Sequence, residues 1–269
     1  MGRTLDVAAY LHRIDYSGPK EPTPATLRDL HVAHLRTVPF ENLDIALGRP
    51  IVLDPDALVR KIVERHRGGY CYELNGLFAL LLRELGFDVT MLSARVAGEG
   101  GGYSPDFDHM ALIVRLEEPW LADVGFGELF LRPLRLEVRA EQPEGGNAFR
   151  ITEEGDGRLL SRQDGPGDWK RQYRFTLTPR RLEEFRPRNR WQQTSPESHF
   201  TRNSICTRVT PEGRITLSGS RLIVTAGAKR HERILTDKER TATLRDAFGI
   251  ELWRRLSRKD VSIAHGGDP

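Results

Sequence analysis

The chain has 269 residues, of which 38% are hydrophobic and 29% are charged, and its formal net charge is +3. This composition is that of a folded protein, and the length allows one large domain or two to three small ones. No apolar run approaches the roughly 18 residues that a membrane span needs, which argues against a membrane protein.

The N-terminus and the cysteines both bear on location. Residues 1–16 follow an amphipathic helical pattern that contains Asp6 and His12, without the uninterrupted apolar core of a signal peptide. Cys71 and Cys206 stand far apart in the sequence and show no metal-ligand spacing, so we expect both to be reduced. The sequence therefore predicts a cytoplasmic protein that holds no metal.

The first third of the chain is predicted to be helical, because prolines and turn-rich segments separate stretches of helical periodicity. These stretches are residues 5–14, 25–35, 55–66 and 72–85.

After Gly86 the hydrophobic period changes to two, which predicts strands. Strands are expected at residues 88–97, 109–116, 120–126, 149–154, 157–163, 170–177, 204–210 and 213–227. Helices are expected at 238–248 and 252–256, followed by a frayed tail at 264–269. Helices followed by strands and then by a mixed segment predict an α+β protein, which we divide at 1–86, 87–190 and 191–269.

Cys71 lies in the segment RGGYCYELNG, just before the predicted helix at 72–85. The unpaired N–H groups and the positive dipole at a helix N-terminus favour a thiolate over a thiol. This placement predicts a reactive cysteine. The alternative is a small buried hydrophobic residue.

His109 and Asp123 are the predicted partners of Cys71. Among the eight histidines, His109 begins a predicted strand, and Asp123 lies on the strand that returns after the turn. If the hairpin turns near residue 116, the two residues oppose each other and their side chains touch. We therefore predict a Cys71–His109–Asp123 triad, in which Asp123 orients His109 and His109 deprotonates Cys71. A structural His–Asp hydrogen bond with an unrelated cysteine is the alternative.

Basic residues cluster at 169–193, where Arg188 and Arg190 stand close to Trp191. Acidic residues interrupt the run and no nucleic-acid-binding motif accompanies it, so nucleic acid is not an expected partner. A solvated, strand-rich face is the favoured interpretation, and a patch for a phosphorylated cofactor is the other.

Several ordered motifs resemble the arylamine N-acetyltransferase family. They are VPFENLDIALGRPI at 38–51, RGGYCYELNGLF at 67–78, LGFDVTMLSARV at 85–96, His109, ADVGFGE at 122–128 and, more weakly, TSPESHF at 194–200. The resemblance implies that Cys71 accepts an acetyl group from acetyl-CoA, with His109 as base and Asp123 as its orienting acid. It also implies a helical bundle, a central β-barrel and a C-terminal α/β lid around a cysteine-protease-like catalytic core.

The resemblance further implies an arylamine or hydrazine acceptor and a ping-pong reaction through an acetyl-cysteine thioester. Phe40, Phe126 and Phe200 are then expected to form the walls of the acceptor pocket, although ordinary core packing is the alternative for each. The rival functions are an amide synthase of the same family that transfers a longer acyl chain, and a non-catalytic binding protein on the same scaffold. A thiol hydrolase or protease with a similar triad is disfavoured, because the sequence shows neither protease signatures nor an export signal.

Two local features accompany the motifs. The cysteine is followed here by Tyr72, Glu73 and Leu74, where the family often has Phe-Glu-Gln or Phe-Glu-His. Glu41 and Arg67 flank the catalytic segment, and we predict that they form an ion pair that holds the loop before Cys71.

Overall fold

The computed structural model describes residues 5–98 and 100–252. The N-terminal part consists of helices, as predicted, and one short strand. In three of the helices the N-cap side chain accepts a hydrogen bond from a backbone N–H, and these N-cap residues are Asp6, Thr23 and Asp54. The elements are α1 (Val7–Arg13), α2 (Pro24–Thr37), β1 (Phe40–Glu41), α3 (Leu43–Ala46), α4 (Pro55–Leu58), which continues as a π-helical turn at Val59–Glu64, and α5 (Cys71–Glu84).

The middle part is an eight-stranded antiparallel sheet. Its strands are β2 (Asp88–Val96), β3 (His109–Arg115), β4 (Pro119–Ala122), β5 (Leu134–Arg135), β6 (Gln142–Glu144), β7 (Asn147–Glu154), β8 (Gly157–Asp164) and β9 (Trp169–Phe175). The spatial order is β5-β4-β3-β2-β9-β8-β7-β6. The edge strands β5 and β6 were not predicted.

The two edges of this sheet approach each other. The N–H of Arg135 on β5 donates to Oε1 of Gln142 on β6 at 2.8 Å, and Nε2 of Gln142 donates back to the Arg135 carbonyl at 3.0 Å. Because side chains link the edge strands, the sheet is a nearly closed barrel, which satisfies edges that would otherwise be exposed.

The segment after β9 differs from the predicted strand-rich face. A 3₁₀ turn at Leu182–Phe185 leads into the helix α6 (Arg186–Thr194), and the short helix α7 (His199–Arg202) follows. Pro187 stands in the first turn of α6, where a proline costs no hydrogen bond. The basic cluster therefore divides between a strand and a helix.

The C-terminal part is a five-stranded antiparallel sheet covered by one helix. Its elements are β10 (Ile205–Thr210), β11 (Gly213–Ser218), β12 (Arg221–Ala226), β13 (Lys229–Ile234) and α8 (Asp237–Phe248). The segment predicted at 213–227 is a hairpin of two strands, and the helix predicted at 238–248 is confirmed. The helix predicted at 252–256, apart from its first position, and the tail at 264–269 lie outside the described residues.

The three parts share elements, and the molecule is an α+β protein as predicted. β1 pairs with β10, so a strand from the N-terminal part completes the C-terminal sheet. α6 runs through residue 190. The division of the chain at residues 86 and 190 stays a prediction.

α5 lies at the centre of the fold. Nearly all of its 14 residues are buried, and it packs against β2 and β3. Burial of its Leu and Phe side chains contributes about 1.5–3 kcal/mol for each, before the loss of conformational entropy. The helix is therefore fixed against β2 and β3. Among the described residues, none of the helices is long and apolar enough to cross a membrane.

Candidate active site

Cys71 is the first residue of α5. The carboxylate of Glu73 accepts a hydrogen bond from the N–H of Tyr70, the N-cap residue, and so ties the first turn together. Burial raises the pKa of the Cys71 thiol well above its ordinary value, and the nearby charges of Asp108 and Asp123 add to this effect. Hydrogen bonds from the backbone oppose the shift without reversing it. The helix terminus alone therefore does not bring the pKa of Cys71 below its ordinary value.

The structure brings His109 and Asp123 together, as predicted. Nε2 of His109 lies 2.7 Å from Oδ2 of Asp123, and both side chains are buried. The predicted register is wrong by two residues: Leu112 faces Ala122, so the residue that would face Asp123 is Ala111. Both side chains still lie on the same face, and a diagonal pair in a sheet is close enough for an imidazole to reach a carboxylate.

Asp123 is held in place by several donors. Oδ1 accepts hydrogen bonds from Nδ2 of Asn75 at 2.8 Å and from the N–H of Gly125 at 2.9 Å. Burial alone would raise the pKa of Asp123, but His109 and these donors together bring that pKa below its ordinary value. These contacts favour the ionised form of Asp123 and fix its carboxylate beside the His109 ring.

His31 is a further residue that sequence reasoning missed. Its Nε2 accepts a hydrogen bond from the N–H of Asp123 at 3.0 Å, and its Nδ1 donates to the Leu131 carbonyl at 2.8 Å. These fixed partners assign a neutral imidazole with the proton on Nδ1. Burial lowers the pKa of His31 to about 4. The sequence did offer a signal for this residue, because His31 shares the apolar, buried face of α2 with Leu27 and Leu30.

Cys71 and His109 line a pocket of about 410 Å³. The three predicted aromatic residues, Phe40, Phe126 and Phe200, also line it. The Phe126 ring packs edge-on to His109, with ring centroids 5.1 Å apart, and Phe40 lies 6.3 Å from Phe200. The pocket is therefore lined by aromatic rings on several sides of the cysteine.

The α6 helix forms the other side of this pocket through Arg188, Trp191 and Gln192. Arg188 and Gln192 both donate hydrogen bonds of 2.6 Å to Oδ1 of Asp108, and the Arg188 guanidinium stacks on Trp191 at 3.7 Å. The Arg188 charge is thus partly neutralised. This contact connects the residue before His109 to the segment that follows the barrel.

The predicted Glu41–Arg67 ion pair is confirmed. The guanidinium of Arg67 donates two hydrogen bonds to Oε1 of Glu41, at 2.7 and 3.0 Å, and both residues are buried. Asp44, Lys61 and Glu73 extend the pair into a network of buried charges. Because Arg67 belongs to the loop that enters α5, the network anchors the chain just before Cys71.

A larger cleft of about 930 Å³ lies next to this network and contains neither Cys71 nor His109. Cys206, which is fully buried on β10, lines neither cavity. Of the two cavities, the smaller one therefore contains the candidate catalytic residues Cys71 and His109. Within residues 5–98 and 100–252, no group of three or more His, Cys, Asp or Glu side chains is arranged to hold a metal ion.

Comparison with known proteins places the chain in a family. The N-acetyltransferase family profile matches residues 23–257. The pineal gland isozyme of arylamine N-acetyltransferase from Gallus gallus is 36% identical over 94% of this chain and 96% of its own. The M. smegmatis arylamine N-acetyltransferase structure superposes with a TM-score of 0.88 at 34% identity, covering 96% of this chain and 98% of that one. The Mycobacterium marinum enzyme in complex with CoA superposes with a TM-score of 0.85 at 36% identity, covering 91% and 93%. The chain therefore belongs to the arylamine N-acetyltransferase family of acyltransferases.

Proposed function

We propose that this protein transfers an acetyl group from acetyl-CoA to an arylamine or a hydrazine through a thioester on Cys71. The observation that carries this proposal is the pairing of His109 with the ionised Asp123 in the pocket that contains the buried Cys71. Family membership supports the acyl transfer, and a relative solved with CoA supports the donor.

In the first half-reaction, His109 takes the proton from Cys71. Because Nε2 of His109 is hydrogen-bonded to Asp123, Nδ1 is the ring nitrogen that receives this proton. The Cys71 sulfur then attacks the carbonyl carbon of acetyl-CoA, and the bond from that carbon to the CoA sulfur breaks. CoA leaves after His109 returns the proton to its sulfur. The imidazolium that forms in between is stabilised by Asp123.

In the second half-reaction, the amine nitrogen attacks the carbonyl carbon of the thioester. His109 accepts the proton that the nitrogen loses, the bond from carbon to the Cys71 sulfur breaks, and His109 returns the proton to the departing sulfur, which restores the thiol. The N–H of Cys71 at the start of α5 is a candidate donor to the oxyanion. Arylamines and hydrazines suit this step because they are largely unprotonated at neutral pH.

Phe40, Phe126 and Phe200 are proposed to contact the acceptor ring and to slow hydrolysis of the thioester by excluding water. The volume of about 410 Å³ lies at the small end of ligand pockets, which supports a short acyl group and a small aromatic acceptor over the long chain of an amide synthase. Foreign aromatic amines are acceptors of this chemical class, so a role in xenobiotic metabolism belongs to the proposal.

A cytoplasmic location is part of the proposal. Both Cys71 and Cys206 are free and buried, as expected in a reducing compartment.

The test is acetyl transfer from radiolabelled acetyl-CoA to a panel of arylamines and hydrazines, with the parent protein and Cys71→Ala side by side. We expect label on the Cys71 peptide when no amine is present, and its transfer to the amine afterwards. Cys71→Ala should show neither, and Cys206→Ser should behave like the parent. Label that never reaches Cys71, or equal transfer by Cys71→Ala, would contradict the proposal. Labelling by longer acyl thioesters alone would favour the amide synthase.

A further inference from the structure

Tyr72 connects the helix of the nucleophile to the strand of the base. It follows Cys71 in the first turn of α5 and is fully buried. Its hydroxyl oxygen lies 2.8 Å from the carbonyl oxygen of Phe107 and 3.1 Å from that of Asp108. Carbonyl oxygens only accept hydrogen bonds, so the hydroxyl is the donor. Because His109 comes next in the chain, the contact anchors the residues that lead into it.

Phe107 has a backbone conformation that a bulky residue disfavours. Its φ is +63°, in the left-handed region that normally suits glycine or asparagine. The N–H of Phe107 donates to Oγ of Ser93 at 2.7 Å, and its ring packs on Phe185 with centroids 5.2 Å apart. Such a conformation persists only where the surroundings hold it. The Tyr72 hydroxyl binds the backbone carbonyl of Phe107, and the Ser93 hydroxyl binds its backbone N–H.

The Asp108 carbonyl oxygen also faces the nucleophile, with Sγ of Cys71 4.0 Å away. A carbonyl oxygen at this place accepts the S–H proton and repels a thiolate. The Tyr72 O–H is shared between this oxygen and the Phe107 carbonyl oxygen, and it weakens both effects because a second donor reduces the negative charge that the Asp108 oxygen presents to the sulfur. Burial, reinforced by Cys71, raises the pKa of Tyr72 well above its ordinary value, so the hydroxyl stays protonated and remains a donor.

We propose that the Tyr72 hydroxyl is a positioning group for acyl transfer. It holds the Phe107–Asp108 turn so that His109 is directed toward Cys71, and it weakens the attraction of the Asp108 carbonyl oxygen for the thiol proton. The inference rests on Cys71 being the nucleophile proposed above. The titratable and charged groups around the two side chains are Tyr70, Asp108, His109, Asp123 and Arg188. All of them are retained when only the hydroxyl of Tyr72 is removed.

The test is Tyr72→Phe, which removes one oxygen and keeps the ring. The rate of alkylation of Cys71 by iodoacetamide is measured against pH, with the Cys71 peptide quantified by mass spectrometry. We expect the profile to move to higher pH, so that alkylation at neutral pH is at least about threefold slower. Acetylation of Cys71 by acetyl-CoA should slow by about tenfold. The Kd of the amine, measured on the unacetylated protein, should stay unchanged, because Tyr72 does not line the pocket.

Two further variants separate positioning from general stability. Tyr10→Phe removes another fully buried hydroxyl, one that lies 3.0 Å from Nδ1 of His34 and away from the pocket. It should lower Tm about as much as Tyr72→Phe while leaving the alkylation profile in place. Ser93→Ala removes the other anchor of Phe107 and should slow acetylation in the same direction as Tyr72→Phe.

An unchanged alkylation profile in Tyr72→Phe would overturn the inference, whatever happened to Tm. The alkylation measurement needs no acyl donor, so it separates this inference from the proposed function. If the parent protein transferred no acetyl group, the proposed function would fail while the effect of Tyr72 on Cys71 could still be read.

Discussion

The side-chain amide of Asn75 bridges the catalytic helix and the carboxylate of the triad. Its Nδ2 donates to Oδ1 of Asp123 at 2.8 Å and to the Met110 carbonyl at 2.6 Å, while its Oδ1 accepts from the N–H of Val124 at 2.9 Å. Asn75 lies one helical turn after Cys71, so α5 supplies both the proposed nucleophile and a residue that holds Asp123.

Asn75→Ala should therefore impair both stability and chemistry. It leaves the Met110 carbonyl and the Val124 N–H buried without this partner, which costs about 1–3 kcal/mol of unfolding free energy for each group. A displaced Asp123 should slow acetylation of Cys71 by about tenfold to a hundredfold. Urea denaturation and stopped-flow release of CoA measure the two effects. Asn147→Ala on β7, outside the pocket, is the control, and equal effects from both variants would contradict this role of Asn75.

Gly125 should not tolerate a side chain. A Cβ atom at this position would lie 2.7 Å from Nδ2 of Asn75 and 2.8 Å from Cα of Cys71, and the Cys71 contact is too close to relieve without a backbone shift. We expect Gly125→Ala to lower the free energy of unfolding by about 1–3 kcal/mol and to displace the catalytic helix. Gly102→Ala, where a Cβ atom meets nothing within 4 Å, is the matched control. Full acetyl transfer by Gly125→Ala would refute the close approach described above.

The buried Glu41–Arg67 pair should contribute far more than an exposed pair. Arg67→Ala leaves the Glu41 carboxylate in the interior without its main partner, and we expect a loss of about 3–5 kcal/mol. Arg28→Ala breaks an exposed pair with Asp29 and should cost less than about 1 kcal/mol. Chemical denaturation of both variants compares them directly. Unchanged stability and acetylation rate in Arg67→Ala would rule out a role in holding the loop before Cys71.

His31 should make the protein less stable in mild acid. Burial lowers its pKa to about 4 from an ordinary value near 6.5, so between these pH values the unfolded chain binds a proton that the folded protein does not. Stability therefore falls as the pH drops through this window, by about 2 kcal/mol between pH 7 and pH 5 for this residue alone.

His31→Gln keeps a donor and an acceptor but does not titrate. Chemical denaturation at pH 7 and pH 5 should show that the variant loses about 2 kcal/mol less than the parent over this interval, even if it is less stable at pH 7. His34 also has its pKa lowered, mainly by burial and in part by His31, so the difference between the two proteins reports His31 together with its effect on His34. Parallel pH dependence in the two proteins would show that the His31 ring is not held neutral.

Local sequence determined the secondary structure and the chemistry-bearing residues of this protein. Hydrophobic periodicity located the helices of the first third and most strands of the barrel, because apolar side chains recur where an element faces the core. The position of Cys71 before a helix, and of His109 and Asp123 on the two sides of a predicted hairpin, identified a His–Asp pair that meets and a cysteine that lines the same pocket as His109. These features depend on residues close in sequence, and Gly and Pro mark where they end.

The tertiary structure decided what depends on distant parts of the chain. The register that places His109 diagonal to Asp123 follows from the turn between β3 and β4, which periodicity does not specify. The support of Asp123 by His31 joins residues 92 positions apart. The direction of the Cys71 pKa shift also depends on the tertiary structure, because burial outweighs the effect of the helix N-terminus that the sequence indicates.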